Sequence, residues 1–154
     1  MAHLSVPSPV GTLSVFVDDG AVVALDWGRV EYEAGEGNDA AILQKAAEQL
    51  TAYFDGTLKS FDLPLRPEGS DHDRAVWREM TRIPYGDQIT YGDIAGRIGS
   101  VARAVGGACG ANPIPIIIPC HRVVGAGGRM TGFSGGEGVE TKQWLLRHEG
   151  ALLI

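Results

Sequence analysis

Apolar residues follow two rhythms along this chain. The runs 12–17 (TLSVFV) and 21–27 (AVVALDW) are rich in β-branched residues. Between them stands Asp18-Asp19-Gly20, a composition that favours positive φ, so the pattern predicts a β-hairpin. Glu31 to Gly37 is acidic and glycine-rich and reads as a loop. Beyond it Ile42, Leu43, Ala46, Leu50 and Phe54 recur at three- and four-residue spacing, which predicts a helix with Asp39 as its N-cap and Gly56 at its end. Pro64 and Pro67 interrupt 61–69, so that stretch reads as a connector and places a domain boundary near residue 70.

In the second half the helical rhythm dominates in shorter pieces. Ser70 or Asp71 can cap a helix carrying Val76, Met80 and Ile83 on one face, stopped by Pro84-Tyr85-Gly86. Tyr91 to Ile98 and Val101 to Ala111 read as two helices divided by Gly99-Ser100, a spacing that fits a helix-turn-helix and equally two packed helices without a ligand. Ile114 to Ile118 is a proline-flanked apolar run, read as a buried extended segment that delivers Cys120 to its place. Seven glycines fall in 125–138, a loop, and Val139 to Glu149 returns to helix with Gly150 as its C-cap. The fold class is therefore α+β, with a small strand-rich N-terminal domain over 1–70 and a mostly helical C-terminal domain over 71–154.

Composition narrows the function classes. The chain has 154 residues with 44% hydrophobic and 21% charged, enough to bury a core. No stretch approaches the ~20 apolar residues that a membrane span needs, and the first residues lack the basic and apolar pattern of a signal peptide. Two cysteines are too few for a disulfide framework, so free thiols in the cytoplasm are expected, with no membrane partner. The net charge of −6 is uneven: residues 1–70 hold 4 Lys and Arg against 11 Asp and Glu, giving −7, and residues 71–154 hold 9 against 8, giving +1. Contact with phosphates belongs to the second half and depends on a local patch rather than on the field of the whole molecule.

The candidate chemistry is centred on Cys120, which follows Pro119 and precedes His121 and Arg122. A thiol beside an imidazole and a guanidinium invites a lowered pKa and a reactive thiolate. Cys109 has no such company and reads as a buried, inert cysteine. Neighbours on extended chain point to opposite faces, so Cys120 and His121 are expected to communicate through a water rather than directly. His3, His72 and His148 are the alternative bases for a hydrolase, but none lies in a motif that places it by the thiol. Cys109, Cys120 and His121 lack zinc-site spacing, and 125–138 lacks the Gly-Lys-Ser/Thr of a phosphate loop. The segment 103–111 is helical yet holds three glycines, each costing ~1 kcal/mol relative to alanine. Its small side chains allow close packing on another helix or a close approach to a nucleic-acid groove, with Arg103 as the one long cationic group.

These residues, taken in order, carry a resemblance. Tyr91, the run Arg103 to Ala108 (RAVGGA), Asn112-Pro113, Ile118 to Val123 (IPCHRV), Phe133 to Gly136 (FSGG), Trp144 to Leu146 and His148-Glu149-Gly150 resemble the O6-alkylguanine-DNA alkyltransferases. The ordered match runs from about Val76 to Gly150, with Pro-Cys-His-Arg its most specific part. Residues 1–70 fit the family's ribonuclease-H-like N-terminal domain only in general character, and Gly110 and Ala111 stand where the family usually has an arginine.

The resemblance implies DNA repair by stoichiometric, irreversible transfer of an alkyl group from O6 of guanine to Cys120 after base flipping, with O4 of thymine left open as a second substrate. It implies no cofactor and no metal. By similarity His121 is the base acting through a water, Glu149 orients His121, Asn112 braces the turn before the active-site segment, and Tyr91 donates to guanine N3. Pro119, Val123, Phe133, Ser134 and Gly135 are implied to bind the base, the Val123 carbonyl and Ser134 amide reading its edge. Arg103, Ala104, Gly106, Gly107 and Tyr91 are implied to meet double-stranded DNA in the minor groove, with Arg103 replacing the flipped nucleotide. A monomer in solution is expected, with cooperative assembly on DNA left open. The rival reading is a non-catalytic lesion-binding alkyltransferase-like protein, which would lack the cysteine that Cys120 supplies. A thiol hydrolase is a third.

Overall fold

The structure, a computed structural model, describes residues 1–133 and 135–152, so Ser134 lies outside the described residues. It divides into two compact units, Met1–Glu68 and Gly69–Ile154.

The first unit is a three-stranded antiparallel sheet, β1 (Ala2–Val6), β2 (Leu13–Asp18) and β3 (Ala21–Trp27) in the order β1-β2-β3. The predicted hairpin is β2-β3. Asp19 and Gly20 both hold positive φ, 44° and 81°, the primed-turn geometry whose twist matches the flanking strands. The sequence pattern missed β1, whose short run mixes His3 and Ser5 with apolar residues. Its partners are supplied by β2, where Leu4 faces Val15, and by a bridge from His3 to Glu33.

Helix α1 (Gly37–Phe54) lays Ile42, Leu43, Ala46, Leu50 and Tyr53 inward. Tyr53 is buried where the pattern had placed Phe54, because the last step along the stripe is three residues and not four. Phe54 and Phe61 instead flank the Tyr53 ring, at 5.1 and 5.4 Å between centroids. Asp39 is not the N-cap. Glu36 takes that place without a side-chain bond, while the Asp39 carboxylate accepts from the Gly20 amide at 2.7 Å and ties the helix to the hairpin turn. The 61–69 stretch also does more than connect: Leu65 pairs beside Val22 through bonds from Val22 N to Pro64 O and from Arg66 N to Val22 O.

The second unit is helical. Ser70 caps α2 (Asp71–Thr81) by accepting from the Asp73 amide. Thr90 and Asp93 form a reciprocal capping box on α3 (Tyr91–Ile98), which ends at Gly99 with φ 69°. Helix α4 (Ala102–Gly110) follows, so the helix-turn-helix read from the sequence is present. Trp77 of α2 donates its indole N–H to Ala108 O at 2.8 Å, and His72 reaches Ser100 in the turn at 2.8 Å. Short strands β4 (Ile89–Thr90) and β5 (Val123–Val124) pair in parallel, and α5 (Val139–His148) closes the unit.

The segment expected to be extended is not. Ile114 to Ile118 forms a compact buried turn, with Ile118 N bonded to Ile114 O, Ile117 N to Pro115 O, and Ile116 at φ 73°. Pro113, Pro115 and Pro119 lack N–H donors and hold φ near one value, so the run pairs only with itself, in a single bridge between Pro115 and Ile118. Cys120 then opens a 3-10 turn, Cys120–Arg122.

Candidate active site

Asn112 sets the path of the chain into the site. Its Nδ2 donates to Ile118 O at 2.9 Å and its Oδ1 accepts from Ile114 N at 3.0 Å, closing the proline-rich turn on itself. Pro119 is the residue before the 3-10 turn, and Cys120, His121 and Arg122 follow it, all buried. In a 3-10 turn successive side chains point about 120° apart, so Cys120 and His121 diverge for a reason other than the extended geometry expected.

The three side chains then part company. His121 Nε2 lies 2.8 Å from Glu149 Oε2 at the end of α5. Arg122 binds the same carboxylate with two prongs, Nε to Oε1 at 2.8 Å and Nη2 to Oε2 at 3.0 Å, and sends Nη1 to Ile83 O at 2.7 Å. Burial alone would raise the Glu149 carboxyl, but the bonds from His121 and Arg122 outweigh it and hold the group at about 2. Burial pushes the His121 imidazole below its ordinary value, against the opposing pull of Glu149.

The tautomer follows. An ionised carboxylate only accepts, so His121 Nε2 carries the proton, and Nδ1 is left as a lone pair. That Nδ1 is buried without a hydrogen-bond partner among the described residues.

Cys120 is 6% exposed. The expectation that Arg122 and His121 lower its pKa is overturned: the guanidinium is committed to Glu149 and the imidazole is neutral. Burial instead raises the thiol, opposed by a hydrogen bond with Asn112 and by the charge of Lys142. The resting group is a thiol, and a thiolate forms only once a base removes its proton. Cys109, expected to be buried, is half-buried, and burial with the neighbouring Cys120 pushes its thiol up to about 12.

Cys120 opens into a cleft of about 300 Å³ lined also by Tyr91, Gly106, Cys109, Gly110, Gly132 and Phe133. The Tyr91 hydroxyl lies 2.7 Å from Thr131 Oγ1, and burial raises its pKa. The Val123 carbonyl accepts from Lys142 Nζ at 2.6 Å, leaving one oxygen lone pair. Gly135 sits on the loop before α5, its carbonyl accepting from Gly138 N. On α4, Val105 and Ala108 are the buried residues, while Arg103, Ala104 and Gly107 are exposed. A Cβ added at Gly106, Gly107 or Gly110 would meet nothing within 4 Å, so these glycines do not serve packing on a neighbouring helix. They leave an open, shallow face.

Sequence reasoning missed Lys142 and Thr131. Lys142 carried a signal: it falls on the same helical stripe as Leu145 and Leu146, a charge on an apolar face. Thr131, in a glycine-rich loop, carried none.

Residues 71–151 match the family described as 6-O-methylguanine DNA methyltransferase, DNA binding domain, and residues 1–67 match its ribonuclease-like domain. The chain belongs to the 6-O-methylguanine DNA methyltransferase family. A methylated-DNA--protein-cysteine methyltransferase of Methanosarcina acetivorans is 41% identical over 150 residues, covering 94% of this chain and 95% of that protein. One from Mycolicibacterium paratuberculosis is 44% identical over 160 residues, covering 98% and 96%. The crystal structure of Mycobacterium tuberculosis OGT in complex with DNA superposes with a TM-score of 0.85 at 39% identity, covering 98% of this chain and 94% of that one. Both units of the fold are thus family domains, the first ribonuclease-like and the second DNA-binding. No helix among the described residues is long and apolar enough to cross a membrane.

Proposed function

We propose that this protein repairs DNA by moving a methyl or larger alkyl group from O6 of guanine to Cys120, once per molecule. The observation that carries the reading is the unpartnered Nδ1 of His121, held as a base by Glu149 on the residue that follows Cys120 in the chain. The thiol proton passes through a water to Nδ1. Sulfur then attacks the alkyl carbon, the C–O6 bond breaks, and its electron pair enters the guanine ring while Tyr91 gives a proton to N3. Glu149 stabilises the imidazolium that forms. The products are S-alkylcysteine and guanine, so no cofactor is needed, and the thioether offers no leaving group for return. The step is irreversible.

The residue roles are assigned accordingly. Asn112 braces the turn that places Cys120, and Pro119, Val123, Phe133 and Gly135 form the base pocket. The open face of α4 lies against the minor groove of double-stranded DNA through Ala104, Gly106 and Gly107, and Arg103 fills the gap of the flipped guanine. Arg103 is exposed and has no ion pair among the described residues, which leaves it available for this. The division of labour puts DNA binding and transfer in 71–154, with 1–70 as a separate N-terminal domain. The protein works as a monomer, in the cytoplasm, where its two free thiols stay reduced.

Mass spectrometry of the protein after incubation with duplex DNA containing O6-methylguanine tests the reading. One added methyl, mapped to Cys120, is expected. Tight binding with no mass change would instead mark a lesion-binding protein without transfer, and repeated turnover a hydrolase.

A further inference from the structure

Lys142 lies on the inner face of α5 and is 1% exposed. A buried ammonium is costly unless its protons are taken up. Two acceptors take up two of the three: the Val123 carbonyl at 2.6 Å and the Tyr91 hydroxyl oxygen at 3.4 Å. The same Nζ is 5.7 Å from the centroid of the Tyr91 ring. An ammonium has three donors and no acceptor, so the Tyr91 oxygen must accept from it. Thr131 Oγ1, 2.7 Å away, can fill the second lone pair by donating. The Tyr91 proton is then left over for the cleft that Tyr91 lines with Cys120.

We propose that Lys142 is a positioning residue for alkyl transfer, holding the Tyr91 hydroxyl as a donor toward the base and stabilising the phenolate left when that proton goes to guanine. This rests on the transferase reading above. In the transfer the S–C bond forms, the C–O6 bond breaks, N3 takes the Tyr91 proton, and the phenolate remains against the ammonium. Burial lowers the Lys142 ammonium and raises the Tyr91 hydroxyl, so the proton can pass from Nζ to the phenolate oxygen afterwards. The ionisable groups that face Lys142 are Tyr91 from α3, Cys109 from α4, and Cys120 and His121 from the 3-10 turn.

The experiment is a double-mutant cycle on the single-turnover rate with O6-methylguanine duplex DNA, run across pH for wild type, Lys142→Gln, Tyr91→Phe and the double variant. Each single variant should slow transfer by about a hundredfold, the low end of acid-side help. The double variant should be no slower than Tyr91→Phe, because Lys142 then has no oxygen to act on. Wild type should lose rate on the alkaline side as Lys142 gives up its proton, and in Lys142→Gln that limb should move to higher pH, to where the Tyr91 hydroxyl itself ionises. Effects that multiply, or an alkaline limb that stays at the same pH in Lys142→Gln, overturn the proposal. If thermal unfolding shows Lys142→Gln to be misfolded, Lys142→Arg and Lys142→Met decide: Arg should keep most of the rate and Met lose it, and equal losses overturn the proposal. Absence of transfer in wild type would sink the transferase reading itself, a distinct failure.

Discussion

Glu149 accepts from His121 Nε2 at 2.8 Å across 28 residues of sequence, and this one bond decides which imidazole nitrogen keeps a lone pair. The same carboxylate receives both prongs of Arg122, so its charge is shared between an orienting task and a structural one. Losing it therefore has two measurable consequences.

Glu149→Gln should slow transfer by about a hundredfold or more, as expected when the orienter of a general base is lost. It should also destabilise the fold by about 3–5 kcal/mol, because Arg122 is left buried without its counter-charge. Single-turnover kinetics and urea unfolding on the same samples check both. Slower transfer at unchanged stability would mean that Arg122 finds another partner.

Stability should fall as pH drops. The Glu149 carboxyl is held below its unfolded value, so its contribution is complete above pH ~4.5 and is lost as pH falls toward about 2. The His121 imidazole is also depressed, so the unfolded chain binds a proton first below pH ~6.5 and the loss begins there. Chemical unfolding from pH 8 down to pH 3 should show a two-stage decline, and in Glu149→Gln the lower stage should shrink to the part that Asp93, also held low by its bonds with Thr90, still supplies. A flat profile in the wild type would contradict both assignments.

Cys120→Ser should abolish transfer while lesion binding persists, because an alcohol cannot be ionised by the same water-relayed imidazole. Methyl transfer by this variant would sink the nucleophile assignment.

Arg103→Ala should slow repair of duplex DNA by losing support for the flipped state, whose unstacking costs a few kcal/mol. Transfer from free O6-benzylguanine, which needs no flipping, should be nearly unchanged. The ratio of the two rate constants, at one salt concentration, is the measurement, and an unchanged ratio rejects the finger role.

Gly107→Leu should separate fold from function on α4. A Cβ there meets nothing, and replacing a helical glycine gains up to ~1 kcal/mol, so thermal stability should hold or rise. Duplex affinity should drop as the open face fills, while free-base transfer stays. A loss of duplex binding only in proportion to lost stability would contradict the groove-facing assignment.

Local causes were legible before the fold was known. Positive φ at Asp19 and Gly20, the Ser70 cap, the break at Gly99 and the apolar stripes of α1 and α2 each depend on residues a few positions apart, and the sequence alone determined them. The motif around Cys120 marked the candidate nucleophile for the same reason. What only the tertiary structure decided were the partners chosen at long range. Asp39 bonds the Gly20 amide instead of capping its own helix, and Tyr53 is buried in place of Phe54. Arg122 turns from the thiol to Glu149, and Lys142 enters the site from α5. Once desolvated, each charge must find a partner wherever packing supplies one, and that choice has no period in the sequence. The prolines of 113–119 show the reverse limit: the apolar pattern read as a strand, but the missing N–H donors and fixed φ left a compact turn as the conformation able to place Cys120 at the head of its cleft.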